Sequence, residues 1–238
     1  MILLRSLAFA ALFYLWSVLI VLLMLATIAG PPAWVLAWAR LWNRGTMLGL
    51  RLVCGVRVEV RGAERIPRGA ALVAAKHQCM FDTFAPMSQL SRPAFVAKAE
   101  LTAIPLFGWY GVRGGLMLVI DRAGGAGALR GLLAEGRRRL AEGQQLVIFP
   151  EGTRTAPGAP ADYKPGVAGL YRELGVACTP MATNAGVHWP AHGLLRYPGT
   201  IVFEYLEPIP PGLKRGDFMR VLEQRIETAT SALIAEGI

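Results

Sequence analysis

Beyond residue 56 the chain is a series of short apolar runs, each divided from the next by a stretch of helical pattern. "VRVEV" (56–60) alternates with period two and reads as a strand. "AALVAA" (70–75), "AFVA" (94–97), "LMLVI" (116–120), "QLVIF" (145–149) and "TIVFEYL" (200–206) are further short strand candidates. Helical patterns lie at about 83–90, 126–142, 165–175 and 216–235. Strands that alternate with helices must bury both faces of their sheet, so the expected fold is α/β. With 238 residues, the chain suits one domain of ordinary size plus some extra.

The extra lies at the N-terminus. Ser6 to Gly30 carries no charge and is long enough to cross a bilayer. A cleaved signal peptide is the rival reading, since Arg5 supplies a short basic start. The apolar run exceeds a usual signal core, and "ATIAGPP" is a poor cleavage site. Pro31 and Pro32 break this first helix. After them Trp34, Trp38, Leu41 and Trp42 recur at helical spacing, with Arg40, Asn43 and Arg44 between. Tryptophan with arginine favours the membrane–water interface, although a core helix would show the same period. We therefore expect membrane-anchoring helices over 1–55 (a span at about 6–30, an interfacial helix at about 33–54) and a globular domain over 56–238. Arg40, Arg44 and Arg51 outweigh Met1 and Arg5, which places that domain on the cytoplasmic face of the inner membrane.

Charge agrees with a lipid surface or a phosphorylated substrate. The chain is 54% hydrophobic and still carries a net charge of +9. Nucleic acid is not an expected partner, because no module joins aromatic to basic residues. Cys54, Cys79 and Cys178 are odd in number and widely spaced, so neither a disulfide framework nor a zinc knuckle is expected. His188 and His192 lie four apart without an HExxH, and no metal is expected there either. The basic run Arg137–Arg138–Arg139 reads as a solvated helix face.

Chemistry concentrates where strands end. "KHQCMFD" follows "ALVAA" directly. His77 and Asp82 are five apart, so they cannot be neighbours on one regular helix. They can meet if His77 occupies the turn and Asp82 the first helical turn after it, where an aspartate accepts exposed N–H groups. A carboxylate on one ring nitrogen leaves the other free as a base. A capping aspartate beside an incidental histidine would look the same. Next, "QLVIFPEGTRT" runs a strand into Pro150, Glu151, Gly152, Thr153 and Arg154. A tight turn there, with its N–H groups and a guanidinium, suits a phosphate; a surface turn with a solvated arginine is the plainer alternative. Lys98 ends "FVAK", and Asp121 with Arg122 ends "LMLVIDR". Four strand-like runs thus end in polar groups, a base among cations. No GxSxG occurs, so a serine nucleophile lacks its usual setting.

Taken together, these motifs resemble the lysophosphatidic acid acyltransferase family (1-acylglycerol-3-phosphate O-acyltransferases) of glycerolipid acyltransferases. The resemblance rests on the H-x4-D pair His77–Asp82, "VIDR" at 119–122, "FPEGTR" at 149–154 and "CTPMATNAG" at 178–186, in that order. "KAELTAIPLFGWYG" (98–111) and "YKPGVAGL" (163–170) also match, so it covers about residues 56 to 207. Two departures concern the first block. Lys76 stands where the family often has Asn, and Cys79 where it often has Ser. Val119 replaces a common aromatic.

The resemblance implies a mixed, largely parallel sheet flanked by helices, of the glycerol-phosphate acyltransferase type. It also implies direct acyl transfer, with no acyl-enzyme on Cys79. An acyl thioester already carries a good leaving group, so the task is to take a proton from an alcohol as it attacks. An unperturbed imidazole, with a pKa of about 6.5, can do that at neutral pH. His77 is then the expected general base and Asp82 its orienter. Lys98, Arg122 and Arg154 would hold the acceptor's phosphate; Glu151, Gly152 and Thr153 are grouped with them as substrate-binding residues, Glu151 positioning Arg154 or the turn. N–H groups near Gly152 are candidates for an oxyanion or phosphate. The expected partners are a lysophospholipid acceptor, an acyl-CoA or acyl-acyl carrier protein donor, and membrane lipid. The expected product is phosphatidic acid, for phospholipid biosynthesis. No cofactor is expected. Another lysolipid, such as a lyso-ornithine lipid, is the alternative acceptor; a hydrolase is a more distant reading.

Overall fold

A computed structural model describes residues 1–27, 30–104, 106–120 and 125–237. Its centre is a seven-stranded sheet in the order β1-β7-β6-β2-β5-β3-β4. The strands are β1 (Val56–Arg61), β2 (Ala71–Ala75), β3 (Pro93–Lys98), β4 (Met117–Ile120), β5 (Gln145–Ile148), β6 (Cys178–Thr183) and β7 (Gly199–Tyr205). Strands β6, β2, β5, β3 and β4 run parallel; β7 pairs antiparallel with β6, and β1 parallel with β7. The sheet is mixed and mostly parallel, as expected. Strand β2 explains why: all five of its residues are buried, so both of its faces must be covered.

The alternation along β2 divides the core in two. Leu72 and Ala74 join Leu146, Ile148, Leu170, Tyr171, Phe218, Leu222 and Ile226 on one face. That face is covered by α5 (Gly125–Ala141), α6 (Gly166–Leu174) and α8 (Arg215–Ala235). Val73 and Ala75 face the other way, among Phe81, Phe84, Phe95, Val147, Met181 and Phe203. The short α3 (Phe81–Phe84) and α7 (Ala185–His188) lie on this second face.

The N-terminal segments complete that second face. Helix α1 (Ile2–Ala26) and helix α2 (Ala33–Gly49) are followed by a π-helical turn over Leu50–Cys54. Phe9, Leu50 and Cys54 belong to the same buried cluster as Val73 and Phe203. Arg40 and Asn43 were expected to sit at an interface. They turn inward instead: Arg40 donates to the carbonyls of Met87, Leu90 and Ser91, and Asn43 to Phe84 O at 3.0 Å and Ser88 Oγ at 2.7 Å. Those carbonyls lie where a helix gives out, so they lack helical donors of their own. Trp34 remains exposed, whereas Trp42 stacks edge-on against Phe84 at 4.7 Å.

Two local expectations fail for identifiable reasons. The helix expected at 83–90 is one α-turn followed by a 3-10 turn over Ala85–Ser88. Pro86 sits at its start and has no N–H to continue the α-ladder. Helix α4 (Phe107–Arg113) was not anticipated. It holds Gly108 and Gly111 and follows Leu106, whose φ of 63° is in the left-handed region, so no helical signal marks it.

Candidate active site

Parallel strands bring their carboxyl ends to one edge of the sheet. At β2 and β5 the chain then leaves in opposite directions. After β2 it enters α3, whose Phe81 and Phe84 pack on one face; after β5 it reaches α6, whose Val167 and Leu170 pack on the other. Such a divergence opens a crevice beyond the strand ends, the usual ligand site of open α/β sheets. His77 and the "FPEGTR" turn lie on its two sides.

His77 is held on every side. Its backbone N–H donates to Glu151 Oε2 at 2.8 Å, and its carbonyl accepts from the Thr155 N–H at 2.8 Å. Its ring stacks on Phe149, with centroids 4.2 Å apart. Nδ1 faces Asp82 Oδ2 at 3.4 Å, a long contact of the kind that tightens when substrate fills a site. The His77 side chain retains 13% exposure, and Nε2 has no hydrogen-bond partner among the described residues.

Asp82 does two things at once, as expected for the first turn of a helix. It is fully buried, and Oδ2 accepts the N–H groups of Gln78 at 2.5 Å and Cys79 at 2.7 Å. Those bonds fix the turn that carries His77. Oδ1 accepts the Cys79 thiol at 3.4 Å. Burial, and then the Asp82 charge, push the Cys79 thiol well above its ordinary pKa. A neutral, buried thiol is a poor nucleophile. Gln78 extends the scaffold by accepting the Gly186 N–H at 2.9 Å.

The "FPEGTR" turn divides its residues between inside and outside. Glu151, grouped by sequence with the acceptor-binding residues, is buried and, among the described residues, forms its ion pair with Lys76 and not with Arg154. Its carboxylate joins the His77 N–H to the Lys76 ammonium, which donates to Oε1 at 2.7 Å. Gly152 has φ of 66°, where any side chain is strained, and its N–H closes the turn on Phe149 O at 3.0 Å. Of the N–H groups near Gly152 expected as donors to an oxyanion or phosphate, the one on Gly152 itself is engaged within the turn. Thr153 and Arg154 are exposed; Arg154 donates to the Ala191 carbonyl at 3.1 Å. Lys98 is exposed at the end of β3 and makes no ion pair among the described residues. Strand β3 lies two places from β2, so Lys98 starts about 10 Å from the His77 turn. Arg122 lies outside the described residues.

Sequence reasoning passed over Phe149, Tyr163 and Glu227. Lys76 Nζ also donates to Glu227 Oε1 and Oε2 of α8, at 2.8 and 3.0 Å, and Tyr163 donates to the same carboxylate at 2.9 Å. One local signal existed. A lysine that directly continues a fully buried strand must find buried anionic partners.

This fold and this site define a class. The acyltransferase family model matches residues 57–184, more than half of the chain, and the protein belongs to that family. The chain is 37% identical to the 1-acyl-sn-glycerol-3-phosphate acyltransferase of Pseudomonas aeruginosa, over 67% of this chain and 62% of that protein. It is 30% identical to the lyso-ornithine lipid O-acyltransferase of the same organism, over 75% of each. The crystal structure of the 1-acyl-sn-glycerophosphate (LPA) acyltransferase from Thermotoga maritima superposes with a TM-score of 0.80. It is 23% identical, covers 99% of this chain and 98% of that one, and shares the fold.

Proposed function

We propose that the protein transfers a fatty acyl group from an acyl thioester to the free hydroxyl of 1-acyl-sn-glycerol 3-phosphate, giving phosphatidic acid. The observation that carries this reading is His77, clamped by Asp82, Glu151 and Phe149 at the mouth of the sheet crevice, with its carbonyl bonded to the Thr155 N–H that follows Arg154 in the chain. Nε2 of His77 takes the hydroxyl proton as the alcohol oxygen attacks the thioester carbonyl. The tetrahedral intermediate expels the thiolate, which recovers the proton from the imidazolium. Asp82 faces Nδ1 and stabilises that imidazolium. Arg154 and Lys98 supply positive charge for the acceptor's phosphate. The donor is acyl-CoA or acyl-acyl carrier protein.

Membrane association fits both substrates. Among the described residues one helix, Ile2–Leu25, is long and apolar enough to cross a bilayer, and only 17% of its most apolar stretch is buried. Both ends of α1 also rest on the domain. Near its start Arg5 donates to Val53 O and Ser6 Oγ accepts the Arg196 N–H; near its end Ile20 and Met24 bury against Tyr110 and Leu116. A helix lying along the domain suits half-immersion in one leaflet better than an upright span. We place it at the cytoplasmic face of the inner membrane.

The lyso-ornithine lipid relative supports a second acceptor on the same scaffold. One assay sorts these readings. Purified protein in lipid vesicles receives acyl-CoA or acyl-carrier protein and a panel of lysolipids, and products are followed by mass. Transfer to lysophosphatidic acid is expected, with His77→Ala lowering kcat by about 10²- to 10⁴-fold. Full activity in His77→Ala would overturn the mechanism. Preference for lyso-ornithine lipid would replace the acceptor, and release of free fatty acid would replace transfer by hydrolysis.

A further inference from the structure

Lys76 is the most deeply buried cation among the described residues, at 2% exposure. It continues β2 by one residue and precedes His77. Its ammonium donates to Glu151, which is 2% exposed, and to Glu227 of α8, whose side chain is 28% exposed. Tyr163, from the loop before α6, closes the group by donating to Glu227. Burial and then the Glu227 charge hold the Tyr163 hydroxyl in its protonated form, well above the usual tyrosine range. So polar groups from the ends of β2 and β5, a loop and a distant helix meet behind the His77 turn, with Lys76 and Glu151 buried and Tyr163 and Glu227 partly exposed.

Breaking a buried ion pair costs far more than forming one gains, so such a group holds its members in fixed relation. What it fixes here is specific. Glu151 Oε1 takes the Lys76 ammonium and Oε2 takes the His77 N–H. Rotation of this carboxylate would break both bonds. The Nδ1–Asp82 contact is long, so the placement of Nε2 depends on the Phe149 stack and on the backbone that carries the ring. We propose that Lys76 and Glu227 are positioning residues for the reaction. Lys76 keeps the Glu151 carboxylate turned toward the His77 N–H, and Glu227 keeps Lys76 from leaving. Residues of α8, outside every site motif in the sequence, would thereby set the catalytic rate. The inference rests on His77 being the base.

The test compares Lys76→Met, Glu227→Gln and the double variant with wild type and His77→Ala, by steady-state kinetics and by Tm. Loss of positioning lowers kcat and leaves the acceptor KM nearly unchanged. A shift of about 1 Å costs up to about 10²-fold, so kcat should fall about 10²-fold in Lys76→Met and about 10-fold in Glu227→Gln. Lys76→Met leaves two carboxylates facing each other without a cation, and its Tm should fall. Adding Glu227→Gln removes that repulsion, so the double variant should regain part of the Tm while kcat stays low. A purely structural role requires Tm and kcat to recover together, and that result would sink the proposal. If Lys76→Met does not fold, a folded Glu227→Gln with wild-type kcat sinks it alone. If His77→Ala is inactive and both single variants keep kcat, the base stands and the positioning role falls. An active His77→Ala overturns both.

Discussion

The two sides of the crevice are built by opposite means. On the His77 side the turn is mostly buried, and its N–H groups, the His77 carbonyl and its side chains are tied to Asp82, Glu151, Thr155 and Gly186. On the cationic side Arg154 and Lys98 are exposed; Arg154 donates to the Ala191 carbonyl at 3.1 Å, and Lys98 has no ion pair among the described residues. Under the proposed mechanism, the contrast follows from what each side would have to do. A base has to be aimed before the alcohol arrives, because aiming it during the reaction would cost reorganisation. A phosphate cradle has to accept a ligand from water or from a headgroup layer, and solvated cations on long stems do this with little desolvation beforehand. Rigid geometry should therefore govern kcat on one side, and charge should govern KM on the other.

The hardest blow to the rigid side is Asp82→Asn. The substitution keeps the shape and removes the charge that accepts two N–H groups and faces the imidazole. We expect kcat to drop about 10²- to 10³-fold, with the acceptor KM within about threefold. Stability should fall by about 1–3 kcal/mol, as read by chemical denaturation, because buried donors lose their anionic acceptor. A variant that is destabilised but catalytically normal would show that the tight turn serves folding alone.

Arg154→Ala probes the open side. It should raise the acceptor KM about 10-fold and change kcat by less than about threefold. Stability should move by less than about 0.5 kcal/mol, since an exposed side chain with one carbonyl contact is lost. The wild-type acceptor KM should also rise with ionic strength, and the variant's should rise less. Equal losses in kcat and kcat/KM would put Arg154 with the rigid side and erase the distinction.

The same contrast decides what could be read without coordinates. The sheet was legible because β2 and β5 are continuous apolar runs, and their polar endings announced the site. His77 and Asp82 were legible because one regular helix keeps positions five apart out of line, whereas a turn followed by a helix can bring them together. Glu151 was visible as a residue but not in its orientation: whether a turn carboxylate points in or out depends on Lys76, 75 positions away. Glu227 was invisible, because a charge on a largely amphipathic helix reads as solvent-facing until a buried cation is found opposite it. The inward turn of Arg40 and Asn43 was hidden in the same way, since tryptophan and arginine on one helix serve a bilayer and a protein face equally well.

Cys79 gives the smallest expected effect and the sharpest test of how the rigid side works. Its thiol is fully buried and donates to Asp82 Oδ1. Burial and the adjacent carboxylate raise its pKa well above the ordinary value, so little thiolate forms near neutral pH. Cys79→Ser replaces a weak S–H donor with a stronger O–H donor of nearly the same shape. If Cys79 only helps to hold Asp82, kcat should stay within about threefold of wild type, because the carboxylate keeps all its other partners. A covalent thioester on Cys79 would predict loss of transfer in the same variant, and a trapped acyl-enzyme visible by intact-protein mass in the wild type. Near-normal turnover with no acyl adduct would leave His77 as the group that meets the acceptor hydroxyl, with Cys79 as one more tether on its orienter.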